Sequence, residues 1–599
     1  MVTFDTSAPE KETEPGAVRD HAENIETRRR RFLESPWLLV FVLSLGALVF
    51  LPALRATFLL DDYLHRSMIE GTFPVTRGPF DLYNFIDDDN RKLFLERGLV
   101  PWWTQPELKI RFFRPLASAL LWLDHRVWGD SPLPMHLQSF AWWLFAVLAV
   151  RALFARTFSR RVTSIGTAVF ALAPSHALPL AWLANREALV SLAFGSLGLI
   201  TYERFRTKSS ARDFTATLFL FAFAFLGGGE YALCFGGYVV AFELVRRNES
   251  ITRRLTGLLP FVLPVVTYLA ARGALHYGTT ASGFYSDPLR DPVAFLRKAP
   301  WRAVALLSNG WLSLDAEHFT ETWERIAAVV LVLIATVALF GPLKRAIAKL
   351  DDRGRVKGAW LVLGSLFSLA PVLAASPSVR LLGIATVGVA AAVALLLDHV
   401  WFSGPSEDRR GRTEIAAMLL GFAHLVHGPV TAFLLSRLHA HDAAEFAKRT
   451  RGLRERIGDP TVATIGVVRG MGGTFFAAFA LDPRGAPPAG WYVLAHAGHT
   501  LVRRIEPRAV ELLLPEDKSI FPIGDGDLFR GDALPLHAGD LLDLPMFRVT
   551  ILRTGVAGPN RVRFDFKEDP DSIKWINDEL DATLDAELPK VGFGAPFDP

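Results

Sequence analysis

Long apolar stretches alternate with short polar connections through most of the chain, and the pattern changes only towards its end. An apolar run from Pro36 to about Leu54 follows Arg28-Arg29-Arg30-Arg31, and some twenty apolar residues are needed to cross roughly 30 Å of hydrocarbon. Further runs at 134–154, 162–180, 187–203, 214–228, 230–245, 255–272, 325–342, 359–375, 380–401 and 413–436 bring the predicted total to about eleven spans. The first is read as an uncleaved anchor, because its polar leader is long and Leu54-Arg55-Ala56 is a poor small-x-small cleavage site. Interrupted apolar segments at 114–128 and 300–314 read as helices lying in the membrane interface.

Charge orients this pattern. Every second connection is basic: Arg156, Arg160 and Arg161; Arg204, Arg206, Lys208 and Arg212; Arg246, Arg247, Arg253 and Arg254; Lys344, Arg345, Lys349, Arg353, Arg355 and Lys357; Arg409, Arg410 and Arg412. Basic loops stay on the cytoplasmic side. The N-terminus is then inside, while the loops at 59–133, near His176 and Glu230, at 273–324 and at 376–380 are outside, with everything after Arg437.

From about 440 to 599 the periodicity shortens. Thr461–Val468, Thr474–Leu481, Trp491–Ala495, Phe547–Leu552 and Arg561–Phe566 are β-prone runs separated by Gly, Pro or Asp, the signature of a small all-β unit. Asp571–Leu588 reads as helical or irregular. The expected fold is an α-helical polytopic membrane protein with a small β-rich extracytoplasmic C-terminal domain. Its parts are a disordered cytoplasmic N-terminus (1–35), a transmembrane domain (36–437, with 59–133 as the first extracytoplasmic loop) and the β-rich domain (438–599).

Composition supports a lipid environment: 51% of 599 residues are hydrophobic, with 45 Phe and 15 Trp. A net charge of +4 from 65 basic and 61 acidic residues is too balanced for a nucleic-acid partner. The single cysteine, Cys234, excludes an intrachain disulfide. There is no phosphate-binding loop, no dinucleotide fingerprint and no spaced Cys/His metal set.

Chemistry concentrates on the outer side. In Phe58-Leu59-Leu60-Asp61-Asp62-Tyr63-Leu64-His65, two adjacent carboxylates stand at a membrane boundary, where desolvation is costly unless they are hydrated, paired or used. Either they end the span as solvated charges, or their closeness raises one proton affinity towards the range of a general base. His65 reads as a hydrogen-bond orienter. Arg111 and Arg114, in Arg111-Phe112-Phe113-Arg114-Pro115-Leu116, suit bidentate contact with a phosphate, or snorkelling towards lipid headgroups. His176, Arg186 and Glu187 cluster on the same side; Glu230 follows Gly227-Gly228-Gly229, and Arg380 follows Ser376-Pro377-Ser378. Trp182 reads as an interface anchor.

These residues resemble the GT-C superfamily of membrane glycosyltransferases, which carry an acidic motif in the first outer loop and use polyprenyl-phosphate sugars. The stretch from Phe113 to Tyr202 looks like the membrane half of the transmembrane tetratricopeptide O-mannosyltransferase-like group and its bacterial relatives. Arg114-Pro115-Leu116 matches an R-P-L segment; Phe170, Ala171, Leu172, Pro174, His176, Ala181, Trp182 and Arg186 match F-A-L-x-P-x-H, A-W and R. Relatives often have His at Ala173, Glu at Leu178 and Asp at Ala188. Their S-K-E appears as Gly228-Gly229-Glu230, Arg380-Leu381-Leu382 matches R-Y-L only loosely, and the tetratricopeptide tail is absent. The resemblance covers about 36–400.

It implies hexosyl or pentosyl transfer with inversion, from a polyprenyl-phosphate-linked sugar to a glycan, lipid or protein acceptor, at a bacterial inner membrane. Asp61 or Asp62 would deprotonate or orient the acceptor, Arg114, Arg186 and Arg380 would bind the lipid phosphate, and His176 and Glu230 would shape the pocket. Some relatives require a divalent cation and others do not. A transporter or flippase of a lipid-linked substrate, and an inactive envelope-assembly protein, are the competing readings.

Overall fold

The computed structural model describes residues 31–246, 249–402, 411–470, 473–496, 500–522, 526–578 and 583–597. Most of the N-terminal segment expected to be disordered, 1–30, lies outside them. In chain order the main helices are α1 (Pro36–Val49), α2 (Asp61–Glu70), α3 (Pro115–Trp128), α4 (Pro132–Ala155), α5 (Arg160–Ala171), α6 (Glu187–Lys208), α7 (Ala211–Gly228) and α8 (Phe235–Val245). They continue as α9 (Leu259–Ala274), α10 (Pro292–Leu312), α11 (Thr322–Ala348), α12 (Asp352–Phe367), α13 (Gly383–Phe402), α14 (Gly428–Ile457) and α15 (Thr474–Ala480).

Among the described residues six helical stretches are long and apolar enough to cross a membrane, or eight if two bent pairs each count as one span. The difference from the predicted eleven arises at three places. α1 has only 14 residues, about 21 Å of helix, before a 3₁₀ turn at Leu51–Arg55; α12 has 16. The stretch Ala211–Val245 counts once by length and composition, yet it reverses. Gly198 of α6 faces Phe221 of α7, Gly195 faces Phe235 of α8, and Tyr202 donates to Glu243 at 2.6 Å. α7 and α8 therefore run in opposite directions along the same helix. At both glycines a Cβ would fall within 3 Å of the facing ring, so the close approach depends on its absence.

α6 is the hub, with 89% of its apolar window buried. At its C-terminal end Arg206 pairs with Glu243 at 2.6 Å; at its N-terminal end Glu187 faces Arg114. A buried charge is tolerated when it is paired and hydrogen-bonded. The two ends are about 33 Å apart at 1.5 Å per residue, close to a bilayer's hydrocarbon thickness.

The C-terminal region is β-rich but not all-β. A six-stranded antiparallel sheet has the order β13 (Gly594–Phe597), β6 (Thr500–Glu506), β7 (Ala509–Leu513), β10 (Gly558–Phe566), β9 (Phe547–Gly555), β8 (Leu541–Asp543), and a four-stranded sheet has the order β12 (Thr583–Asp585), β11 (Lys574–Asp578), β4 (Thr464–Arg469), β5 (Gly490–Ala495). β4 (Thr464–Arg469) and β5 (Gly490–Ala495) are parallel, so the chain between them must cross over. α15 makes that crossing, and the predicted strand Thr474–Leu481 is corrected to a helix. Its Phe475, Phe476 and Phe479 are all buried, with the spacing of a helix face rather than a strand. Asp571–Leu588, expected to be helical or irregular, instead supplies β11 (Lys574–Asp578) and β12 (Thr583–Asp585).

One hydrophobic core joins this region to the first loop: Leu64, Phe73, Phe94, Trp102 and Trp103 lie in the same cluster as Phe446, Ile465, Phe479, Trp491 and Phe564. Trp102 Nε1 donates to Leu494 O at 3.0 Å, Trp491 N to Arg97 O at 2.8 Å and Gln105 N to Phe529 O at 3.0 Å. The expected boundary at 437/438 falls inside α14, a continuous helix.

Candidate functional site

α2 begins on a strained residue. Leu60, just before Asp61, has φ 45°, a conformation that a side chain larger than Gly adopts at a cost of about 1–3 kcal/mol. The turn is held by Asp62. Its Oδ2 accepts from Leu59 N at 2.9 Å and its Oδ1 from Ala184 N at 2.8 Å, with the side chain wholly buried. Both carboxylate oxygens are thus committed to backbone donors, one of them in the segment that opens α6. Tyr83 donates to Ala184 O at 2.6 Å and closes the same junction.

Asp61 faces the other way, into a cavity of about 370 Å³ that it lines with Phe112, Trp182, Tyr285 and Arg380 on one side. Burial pushes its carboxyl up to about 7, against the opposing pull of Arg380 and Arg114. Burial also raises Asp62, opposed by the Leu59 and Ala184 N–H groups. The neighbouring carboxyls are therefore unlike: Asp62 is bound into the backbone and Asp61 is open to a ligand.

Arg380 is the free cation of the cavity. It sits over the Trp182 ring at 5.5 Å and makes no ion pair with a described residue. Arg114 is nearby but engaged, 3.3 Å from Glu187 and over the rings of Phe112 and Tyr83 at 4.6 and 5.1 Å.

The other sequence candidates serve the framework. Arg186 is buried against Asp124 at 2.5 Å. His176 is buried, with Nε2 2.9 Å from Phe170 O, so it spans its own turn instead of reaching a ligand. His65 is packed between the rings of Tyr83 and Phe85 at 4.9 and 5.4 Å, and burial pulls it down to about 3. Arg111 covers the Tyr277 ring at 4.0 Å and donates to Leu275 O. Glu187 is shared by Arg114 and Asn185, and Glu230 accepts from Arg272 at 2.6 Å. The expected convergence of Asp61, Arg114, His176, Arg186 and Arg380 on one cavity is corrected: Asp61 and Arg380 line it, Arg114 stands behind it, and His176 and Arg186 do not reach it.

Sequence reasoning missed the wall that the C-terminal region builds. Trp491, His496 and Asp527 line the same cavity, with Trp103 from the first loop. The indole N–H groups of Trp182 and Trp491 are buried without a hydrogen-bond acceptor among the described residues, although a buried indole N–H usually finds one; the Trp103 indole N–H donates to the Asp527 carboxyl. Burial pushes the Asp527 carboxyl up to about 7; its Oδ1 accepts from Phe529 N at 2.8 Å. No local motif marks these residues, because strand pairing far along the chain brings them together. Among the described residues, Asp315, Glu317 and His318 are grouped closely enough for a metal ion, in the loop after α10.

No family model matches the chain, and no curated protein matches it. Solved structures do. The apo oligosaccharyltransferase of Archaeoglobus fulgidus matches at 15% identity and a TM-score of 0.43, over 77% of this chain and 65% of that one. ArnT from Cupriavidus metallidurans bound to undecaprenyl phosphate matches at 13% identity and 0.38, over 73% of this chain and 84% of that one. The chain thus spans just under two thirds of the oligosaccharyltransferase's length.

Proposed function

We propose that the chain is a membrane glycosyltransferase that moves a sugar from a polyprenyl-phosphate donor to an acceptor hydroxyl or amide at the cavity of Asp61. The observation that carries this reading is the shared cavity: a carboxyl near pH 7 and an unpaired arginine open into one aromatic-lined space. Asp61 takes the acceptor proton as the acceptor attacks the anomeric carbon. The bond from that carbon to the phosphate oxygen breaks, with inversion, and the polyprenyl phosphate leaves with the negative charge. Arg380 neutralises that charge where it develops, and such electrostatic stabilisation counts most in a dry site. The aromatic faces of Trp103, Trp182 and Trp491, with the indole N–H groups of Trp182 and Trp491, suit a sugar, which presents apolar faces and hydroxyl acceptors together.

In this reading Asp62, Arg114, Arg186, His176, Glu187 and Glu230 hold the cavity in shape, and the cavity and C-terminal region lie on the extracytoplasmic side of the membrane.

The test is transfer from a synthetic polyprenyl-phosphate sugar by protein in nanodiscs. Asp61→Asn is expected to lower kcat by about 10²–10⁴-fold, the usual worth of a general base. Arg380→Ala should weaken transfer strongly, and Arg380→Lys should recover only part of it, since lysine lacks the bidentate fork. Full activity in Asp61→Asn would remove the assignment.

A further inference from the structure

A second cavity lies in the helical bundle, away from Asp61. α11 packs loosely, with only 17% of its apolar window buried. Between it, α12 and the end of α8 runs a groove of about 1000 Å³, walled by Leu244, Leu339, Leu343 and Leu363 and closed at one end by Trp311 of α10. At the other end stand three cations, Arg254, Lys344 and Arg355. Arg254 Nε is buried and donates to no acceptor among the described residues. Arg254 and Lys344 make no ion pair with a described residue, and Arg355 pairs with the exposed Asp352 at 3.3 Å while its Nε donates to Leu350 O at 3.2 Å.

This basic end belongs to the Arg206 end of α6. Gly257, on the same short helix as Arg254, faces the Arg206 guanidinium, and Lys357, two residues beyond Arg355, pairs with Glu203 at 3.1 Å. It lies about 33 Å of helix from the Glu187 end, where Asp61 and Arg380 open. A polyprenyl phosphate reacting at Asp61 cannot place its phosphate here.

We infer that this groove binds an anionic phospholipid, its acyl chains along α11 and α12 and its phosphate between Arg254 and Lys344. A volume at the top of the range for small-molecule sites, apolar along its length but for Thr336 and cationic at one end, complements a two-chain lipid with a charged head. Basic pockets between membrane helices select anionic headgroups in this way. The inference does not depend on the proposed transfer reaction.

Full-length protein in nanodiscs of equimolar phosphatidylglycerol and phosphatidylcholine, released into native mass spectrometry, tests it. Phosphatidylglycerol should be retained in preference, and Arg254→Ala with Lys344→Ala should lower that preference by about fivefold for each cation removed. Ala359→Trp, which fills the groove and keeps the charges, should remove the bound lipid as well. Equal retention of the two lipids, unchanged retention in both variants, or displacement by polyprenyl phosphate would each overturn the assignment.

Discussion

Asp61 and Asp62 are adjacent, chemically identical and opposite in use. The difference lies in what each oxygen meets. Asp62 accepts two backbone N–H groups, so Asp62→Asn turns an amide NH₂ towards one of them and leaves a buried donor unsatisfied. The expected loss of stability is about 1–3 kcal/mol, visible as a lower melting temperature in detergent. Asp61 has the reverse signature. Its carboxyl titrates near 7 in the folded protein and about 3.9 when unfolded. Between those values the unfolded chain has released the proton and the folded chain has not, so the cost of burying the charge grows from about pH 4 to about pH 7 and is constant above. Asp61→Asn should therefore melt higher than the parent at pH 8, with a gain that disappears as the pH approaches 4. Activity has the opposite sign: transfer needs the ionised base and should rise with pH through about 7 before reaching a plateau. A flat profile from pH 5 to 8 would separate Asp61 from the chemistry.

At the scale of elements, the seam between the first loop and the C-terminal sheets sets the cavity wall, and Gly98 is its tightest point. Gly98 has φ +66°, and a Cβ there would lie 2.5 Å from Trp491 O. Gly98→Ala meets both backbone strain, about 1–3 kcal/mol, and a clash with the strand that carries Trp491 into the cavity. It should lower the melting temperature and the transfer rate together. Gly129→Ala, at φ +56° with nothing within 4 Å, meets strain alone, and should lower the melting temperature less while leaving transfer intact. The helices were legible in the sequence because each has to hide a polar backbone from lipid, which forces a long apolar run. Asp61 and Arg380 were legible for a related reason, since charge at a span's end is costly and stands out. The strand predicted at Thr474–Leu481 failed because three phenylalanines look alike in a buried strand and a buried crossover helix; only the parallel pairing of β4 and β5 decides. Arg186 and His176 stood out as chemistry, yet each is tied into the framework: buried polar groups held by Asp124 and by Phe170 O leave the same trace in sequence as ligands do.

Over the whole molecule, the loop at 59–133 and the region after Ile457 behave as one body with a common core. The cavity lies within that body and touches the membrane bundle through Trp182, Tyr285 and Arg380. The cross-links are distributed: Trp102 to Leu494, Arg97 to Pro488, Thr72 to Arg484 and Arg530 to Trp103. A loop of this kind on its own would expose Trp102, Trp103 and Phe94, all nearly inaccessible here, and burial of such side chains is worth about 1.5–3 kcal/mol each. Neither half retains a core without the other, so they should open together. Hydrogen exchange on the protein in nanodiscs reads this directly: the amides of β1 (Asn84–Ile86) and β2 (Lys109–Arg111) should exchange at the same slow, cooperative rate as those of β4 and β5. Arg530→Ala, which removes the contacts with Trp103 O and Leu534 O, should speed both sets equally. Faster exchange of the C-terminal strands alone would show a separable domain, and the cavity wall that they supply would then be an attachment instead of part of the catalytic body.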